Sequence, residues 1–145
     1  LRQPLQPNLA EQCRILASNF PQLALQCSIP TELALDPVST ALLAKVTQEA
    51  VTNSARHGNA NKAQVTLWQH AGKIYYRYVD NGVLGHWPLV EGNGLTGMRE
   101  RIEEAAGKLF FSQQELTHSK LGKVQHALQI DVELPQVEFS NAKTT

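Results

Sequence analysis

Apolar residues recur at helical spacing in some parts of the chain and alternate with polar residues in others. The first helical pattern covers residues 5–20 and ends before Pro21. Its apolar positions are Leu5, Leu9, Cys13, Leu16 and Phe20. A short alternating run at residues 23–29 then predicts a strand, and the prolines of residues 30–37 predict a connector.

The longest helical pattern covers residues 38–57. Asp36 precedes it as a candidate N-cap, and Pro37 suits the first helical position because its missing N–H would have no partner there. Gly58 and Asn59 supply a stop signal. We therefore expect one long helix in the first half of the chain.

Strand patterns dominate the second half of the chain. Ala71 and Gly72 separate two alternating runs and predict a hairpin turn, and Gly107 ends the last helical pattern. The elements expected here are strands at residues 63–70, 73–80, 108–116 and 124–134, a loop at residues 81–93 and a helix at residues 94–106.

This order of elements, α-β-α-ββ-α-ββ, predicts an α+β fold. Strands joined by tight turns pair antiparallel, whereas the first strand is separated from the next by a helix. We therefore expect a two-layer α/β sandwich, in which helices cover one face of a mixed, mostly antiparallel sheet.

Composition narrows the class of protein. The chain has 145 residues, 42% of them hydrophobic and 18% charged, which suits one globular domain. Its thirteen basic and thirteen acidic side chains cancel, so it lacks the basic surface of a nucleic-acid-binding protein. No apolar run approaches the ~18 residues of a membrane span, and the first residues contain no signal-peptide pattern. Two isolated cysteines, Cys13 and Cys27, favour a reducing, cytoplasmic compartment and two small buried side chains.

Candidate chemistry begins in the long helix, in the stretch QEAVTNSARHGNA at residues 48–60. One stripe, within a sector of roughly 80°, starts apolar and becomes polar over the last two turns. Its members are Leu42, Val46, Glu49, Asn53 and Arg56, with His57 just beyond its edge. Carboxylate and amide oxygens four residues apart can meet one magnesium ion, and a guanidinium suits phosphate. A solvated helix end with ordinary surface charges is the alternative.

Two glycine-containing segments add to this picture. VDNG, at residues 79–82, ends a strand with an acceptor that could bind an exocyclic amine, although Asp-Asn-Gly turns are common. GNGLTG, at residues 92–97, matches the dinucleotide-binding pattern GxGxxG, but a long loop with Pro88 precedes it where that pattern requires a strand. Its glycines and the start of the following helix still suit phosphate oxygens.

Together these motifs resemble the catalytic ATP-binding domain of sensor histidine kinases, and most closely the nitrate-sensor and hexose-phosphate-sensor type. QEAVTNSARHGNA is similar to the N box of that family, VDNG to its first glycine box, and GNGLTGMRER to its second. The resemblance covers about residues 23–135. It implies a Bergerat-type fold, ATP and Mg²⁺ as ligands, and transfer of the γ-phosphoryl group to a histidine on a separate domain.

The resemblance also implies a role for each matching residue. Asn53 would hold the magnesium ion, and Glu49 would support it through water or polarise the acceptor. Asp80 would accept a hydrogen bond from the adenine amine, with Gly82 and Gly85 beside the base. The residues implied to surround the phosphates are Arg56, His57, Gly92, Gly94, Leu95 and Gly97. The segment between Gly85 and Gly92 would be the ATP lid.

Parts of such a sensor are not found in the sequence. Gly85 stands one residue later than the DxGxG spacing of the family, and none of the chain's five histidines lies in a dimerisation helix. We therefore expect residues 1–22 to follow absent dimerisation helices, residues 23–135 to form the ATP-binding domain and residues 136–145 to be a tail. The partners implied are the dimerisation and phosphoacceptor domain and a response regulator, with no nucleic acid. The parent would be a homodimeric sensor attached to the inner membrane, with this domain in the cytoplasm.

Other readings remain open at this stage. They are a serine-kinase or anti-sigma relative, against which LTGMRER argues, a binding-only domain that has lost catalysis, and an ATP-hydrolysing protein that clamps or moves other proteins.

Overall fold

The computed structural model of the chain describes residues 8–56, 60–82, 93–116 and 125–136. The helices within these ranges are α1 (Leu9–Asn19), α2 (Pro37–Arg56) and α3 (Asn93–Glu104). The strands are β1 (Ala24–Ser28), β2 (Lys62–His70), β3 (Lys73–Asp80), β4 (Lys108–Leu116) and β5 (Gln125–Pro135). No helix in this described part of the chain is both long and apolar enough to cross a bilayer.

The strands form one sheet in the order β1-β2-β3-β5-β4. β1 pairs parallel with β2, while β2 with β3, β3 with β5 and β5 with β4 pair antiparallel. The α2 helix connects the parallel pair, as a crossover must. The predicted α+β fold with a mixed, mostly antiparallel sheet is therefore confirmed.

One face of the sheet carries the core. Alternation along β3 places Ile74, Tyr76, Tyr78 and Asp80 on this face, and all four are buried. The apolar residues of α2 that cover it are Leu43, Val46, Ala50 and Val51. The opposite face carries stacked Trp68 and Tyr75 rings and ion pairs from Arg77 to Asp131 and from Lys73 to Glu133. Side chains fill the space between this face and the helices, so a ligand site is expected at an end of the sheet.

Helix starts follow their capping residues. The Asn8 side chain accepts a hydrogen bond from the N–H of Glu11 at 2.8 Å, and its extended backbone sets the start of α1 at Leu9. α1 therefore begins after the Asn8 cap, and the expected start at residue 5 lies outside the described residues. At α2 the prediction is confirmed, since the Ser39 N–H donates to Asp36 Oδ2 at 3.1 Å and Pro37 is the first helical residue.

The end of α3 differs from the predicted one in an informative way. The helix stops at Glu104, and Ala106 adopts a φ of 63°, a left-handed conformation. The N–H of Ala106 donates to the Glu103 carbonyl at 2.9 Å, and that of Gly107 donates to the Ile102 carbonyl at 2.8 Å. This is the Schellman pattern of helix C-termini, with alanine in the place that glycine usually occupies. Gly107 is required for another reason, the close approach of β5.

The cysteines differ from expectation in one respect. Cys13 is buried between α1 and the sheet, whereas Cys27 is exposed on the edge strand β1, and both are free thiols. The expectation of two buried side chains was wrong for Cys27, because one side of β1 has no neighbouring strand in the sheet.

We expect Gly107→Ala to destabilise the fold. A Cβ at this position would lie 2.5 Å from the Glu133 carbonyl oxygen, 2.6 Å from Leu134 Cδ2 and 2.9 Å from Ile102 Cγ2. Backbone cannot yield as a flexible side chain can, so the free energy of unfolding should fall by about 1–3 kcal/mol. Chemical denaturation followed by circular dichroism measures the change.

Gly97→Ala is the matched control for this substitution. Gly97 lies within α3, and a Cβ there would have no atom within 4 Å. Because alanine is the better helix former, the free energy of unfolding should rise by roughly 0.5–1 kcal/mol. Equal effects of the two substitutions would contradict the close approach at Gly107.

Candidate functional site

Two buried hydroxyl pairs join α2 to β3. Thr47 Oγ1 lies 2.7 Å from the hydroxyl of Tyr76, and Ser54 Oγ lies 2.7 Å from the hydroxyl of Tyr78. All four side chains are buried. Moving along α2 toward its C-terminus therefore means moving along β3 toward Asp80, so the end of α2 lies at the same end of the sheet as Asp80.

The buried face of α2 is not the stripe expected from the sequence. It is formed by Ser39, Leu43, Val46, Thr47, Ala50, Val51 and Ser54. Glu49 and Asn53 lie at its flank and are half-buried, and Arg56 is exposed at the helix end. The polar end of the predicted stripe therefore lies beside the core, because the Ser54 hydroxyl keeps the last turns of α2 packed on the sheet.

The Asp80 carboxylate is the centre of the candidate site. The side chain is only 3% exposed. Its Oδ1 accepts hydrogen bonds from the N–H of Gly82 at 3.1 Å and from the N–H of Leu128 at 3.2 Å. Its Oδ2 accepts one from the Ser54 hydroxyl at 2.5 Å. Three donors from three segments of the chain thus stabilise one buried carboxylate.

The direction of the protons in this network follows from the chemistry. A carboxylate only accepts, so the single proton of the Ser54 hydroxyl is donated to Asp80. The Tyr78 hydroxyl must therefore donate to Ser54 Oγ. Burial raises the pKa of Tyr78 well above its ordinary value. The hydrogen bond with Ser54 lowers this pKa and the Asp80 charge raises it, but burial is the largest effect, so Tyr78 keeps its proton at neutral pH.

The Thr47 pair has the same chemistry and a different end point. Thr47 Oγ1 donates to the Leu43 carbonyl at 2.7 Å, so the Tyr76 hydroxyl donates to Thr47. Burial also raises the pKa of Tyr76. We call each such series of hydrogen bonds a relay. The relay from Tyr76 through Thr47 ends inside α2, whereas the relay from Tyr78 through Ser54 ends on the Asp80 carboxylate.

The backbone that follows Asp80 is fixed by a pair of asparagines. Asn81 Oδ1 accepts the N–H groups of Asn61 and Lys62, each at 3.0 Å, and Asn81 Nδ2 donates to Asn61 Oδ1 at 2.6 Å. These bonds hold the start of β2 against the end of β3. Gly82, buried beside them, is therefore held at the edge of the site.

The start of α3 points toward the same end of the sheet. Just beyond the C-terminal end of α3, Gly107 approaches Leu134. In the middle of the helix, the Arg99 guanidinium lies 5.4 Å from the Phe111 ring centre. Phe111 pairs with Ile130, which lies closer to Leu128 than Leu134 does along β5. Going toward the N-terminus of α3 therefore means going toward the sheet end where Leu128 and Asp80 meet.

The site residues predicted from the sequence lie at different places in the structure. Gly94 and Leu95 lie in the first turn of α3, and Gly97 is half-buried one turn later. Glu49 pairs with Lys45 across one helical turn, with 3.5 Å between Oε1 and Nζ. His57, Gly85 and Gly92 lie outside the described residues. The end of α2, the end of β3 and the start of α3 lie toward the same end of the sheet, and they include residues of the stretches that resemble the N box and both glycine boxes.

Sequence reasoning missed Ser54, Tyr78 and the N–H of Leu128. The signal for Ser54 and Tyr78 was present, because Tyr76, Tyr78 and Asp80 alternate along one strand and must share a face. Thr47 and Ser54 lie seven residues apart and share one face of α2. The backbone N–H of Leu128 leaves no signature in sequence.

Sequence comparison finds relatives among sensor kinases. The chain is 39% identical over 95 residues to the nitrate/nitrite sensor protein NarQ of Escherichia coli, a match that covers 63% of this chain and 17% of that protein. It is 31% identical over 106 residues to the signal transduction histidine-protein kinase/phosphatase UhpB of Salmonella typhimurium, covering 72% of this chain and 19% of that protein. The chain spans about a fifth of the length of these relatives. No family model matches the chain.

Solved structures agree in fold. The ATP-binding domain of PrrB from Mycobacterium tuberculosis superposes with a TM-score of 0.63 at 18% identity, covering 90% of this chain and 92% of that one. The Acinetobacter baumannii histidine kinase AdeS superposes with a TM-score of 0.66 at 12% identity, covering 95% of this chain and 70% of that one. The chain therefore has the fold of histidine kinase ATP-binding catalytic domains, and the resemblance of its sequence to sensor histidine kinases is confirmed.

Proposed function

We propose that the chain binds ATP with Mg²⁺ at the Asp80 end of the sheet and donates the γ-phosphoryl group to a histidine on a separate domain. The observation that carries the proposal is the buried Asp80 carboxylate, oriented by three hydrogen bonds at the end of β3. The PrrB domain, an ATP-binding domain with this fold, supports the same ligand.

Adenine recognition follows from the acceptors that remain on Asp80. Each carboxylate oxygen offers about two lone-pair sites. Oδ1 already accepts two N–H groups, while Oδ2 accepts one hydroxyl. Among the described residues, one acceptor site on Oδ2 therefore remains for a ligand N–H donor, and the exocyclic amine of adenine is such a donor.

The phosphates belong at the other side of the site, at the start of α3. Helix N-termini present free N–H groups and a partial positive charge. Gly94 and Gly97 lie in the first turns of α3, where glycine allows phosphate oxygens to approach the backbone. Arg56, exposed at the end of α2, adds a charged donor. We include His57, Leu95 and Gly92 in this phosphate site, and Gly85 in the adenine site, on the family resemblance alone.

The donor set fits magnesium as an ion shared with the phosphates. Asn53 offers an amide oxygen, has no hydrogen-bond partner among the described residues, and lies one helical turn from the Glu49 carboxylate. Across the described part of the chain, no three His, Cys, Asp or Glu side chains could hold a metal ion by themselves. Phosphate oxygens and water would therefore supply the other ligands, as is usual for Mg²⁺, which neutralises phosphate charge when bound.

Phosphoryl transfer then depends on positioning. The bond between the γ-phosphorus and the bridging oxygen breaks, a bond to an imidazole nitrogen forms, and ADP leaves with the electron pair. The chain would orient the triphosphate and leave the γ-phosphoryl group open to the acceptor. His70 is unsuited as that acceptor, because it pairs with Lys73 at the opposite end of the β2–β3 hairpin from Asp80.

The remaining parts of the proposal concern partners. The acceptor histidine lies on a dimerisation domain of the same sensor, which forms a homodimer, and a response regulator then receives the phosphoryl group. The names of two relatives, a nitrate/nitrite sensor protein and a signal transduction histidine-protein kinase/phosphatase, support a role in signal transduction. We place the domain on the cytoplasmic side of a membrane-attached sensor, where ATP is available.

Asn53→Ala should remove the magnesium-dependent part of ATP affinity, since it deletes the amide oxygen. Calorimetry with and without Mg²⁺ should show a loss of about tenfold or more with the ion, equivalent to ~1.4 kcal/mol, and little change without it. Thr52→Ala, the neighbouring half-buried position on α2, is the control and should keep both affinities. Unchanged affinity of the Asn53 variant with Mg²⁺ would refute the ion-binding role.

Asp80→Asn should weaken the preference for adenine over guanine nucleotides. The amide can turn an N–H toward the ligand amine, so an acceptor is replaced by a donor. We expect the ratio of ATP to GTP affinity to fall by about tenfold, measured by competition binding on variants whose folding is verified by circular dichroism. A parent chain that binds both nucleotides equally would contradict the role of Asp80.

Phosphotransfer is tested by adding a purified phosphoacceptor domain of a sensor histidine kinase to the chain with ATP and Mg²⁺. We expect labelled phosphate on the acceptor that is labile in acid and stable in base, as a phosphohistidine is, and none with Asn53→Ala. ATP binding without transfer to any such acceptor would instead support a binding-only domain.

A further inference from the structure

We infer that Ser54 and Tyr78 are positioning residues that hold Asp80 as an acceptor for the exocyclic amine of the base, and so determine which purine is bound. The inference rests on the proposed function, because it concerns the same site. It assigns a task to two side chains that neither belong to the glycine boxes nor contribute an oxygen to the metal.

The protein fixes the orientation of the Asp80 carboxylate. Its two oxygens are held from different segments, Oδ1 by the N–H groups of Gly82 and Leu128 and Oδ2 by the hydroxyl of Ser54. Rotation about the bond to the carboxylate would break at least one of these bonds inside the protein. The free acceptor site of Oδ2 therefore has a fixed direction.

Tyr78 in turn fixes the orientation of the Ser54 hydroxyl. A serine hydroxyl rotates freely unless a partner fixes it. The Tyr78 hydroxyl donates to Ser54 Oγ at 2.7 Å and occupies an acceptor site there, which leaves the serine proton directed at Asp80. Tyr78 thus acts on Asp80 through Ser54, although it does not touch the carboxylate.

The direction of these protons determines which group of a ligand Asp80 can bind. With every proton of the relay directed toward Asp80, the site presents an acceptor and no donor to the six-position of a purine. An amine at that position completes the hydrogen bonds of Oδ2, whereas a carbonyl oxygen would face it without a proton between them. A site built to receive one hydrogen-bonding group rejects the analogue that lacks it, because a buried polar group is then left unpaired.

The chain contains an internal control for the Ser54–Tyr78 pair. The Thr47–Tyr76 pair has the same hydroxyl separation of 2.7 Å and is equally buried, but its relay ends on the Leu43 carbonyl. Removing the hydroxyl of Thr47 should therefore lower the stability of the fold as removing that of Ser54 does. It should leave the orientation of the Asp80 carboxylate unchanged.

The experiment compares two nucleotides that differ only in the six-amino group, ATP and purine riboside 5′-triphosphate. Their affinities are measured by calorimetry with Mg²⁺ for the parent chain, Ser54→Ala and Thr47→Ala. We expect the parent and Thr47→Ala to prefer ATP to the same degree. For Ser54→Ala we expect that preference to fall about tenfold, while affinity for purine riboside triphosphate changes little.

Two further variants keep the test decisive where Ser54→Ala folds poorly. Ser54→Thr restores a hydroxyl and should restore the preference for ATP. Tyr78→Phe keeps the Ser54 donor and frees its rotation, so the preference should fall by a smaller factor, about two- to fivefold. Circular dichroism and denaturation establish that each variant compared is folded.

The outcomes separate this inference from the proposed function. If the parent prefers ATP and the folded Ser54 and Tyr78 variants retain that preference, the positioning role is overturned while nucleotide binding stands. If the folded parent binds neither triphosphate, the proposed function fails and the inference fails with it. Equal loss of both ligands in Ser54→Ala and in Thr47→Ala would show a purely structural contribution and would also overturn the inference.

Discussion

The burial of one carboxylate constrains the whole arrangement around the candidate site. An ionised group removed from water is destabilising by several kcal/mol unless hydrogen bonds replace its hydration. Asp80 is 3% exposed, and its donors come from α2, from the residue after Asn81 and from β5. The carboxylate is therefore stable only when these three segments have met. The site and the fold form together, because the contacts that orient Asp80 are also contacts between helix, strand and strand.

The existence and order of the elements could be predicted because apolar residues recur at clear helical or strand spacing. The hairpin of β2 and β3 with its Ala71-Gly72 turn, the Asp36 cap and the Pro37 start of α2 are all confirmed. These features are local, so a few neighbouring residues determine them. A shared site for the N box and the glycine boxes stays a prediction from the family resemblance, since nothing local relates residues so far apart in the chain.

The rotation of α2 about its axis could not be predicted from hydrophobicity. Thr47 and Ser54 are polar, so a hydrophobic stripe places them at the surface, yet both are fully buried because each meets a tyrosine hydroxyl. A buried polar residue becomes recognisable only with its partner. The end of α3 was missed for a similar reason, since Gly107 is needed where β5 approaches, and the left-handed position falls to Ala106.

The same network bears on how a ligand would gain affinity. The Asp80 carboxylate is already desolvated and oriented before any ligand arrives, so binding requires no reorganisation of the acceptor. A hydrogen bond from an amine to this charged, buried acceptor should contribute more than one made at the surface, where water competes. The cost of holding the charge in the interior is met on folding, through bonds from Ser54, Gly82 and Leu128. A base without the amine would leave one acceptor site of Oδ2 buried and unfilled, and this unfilled acceptor is the physical source of the expected preference for adenine.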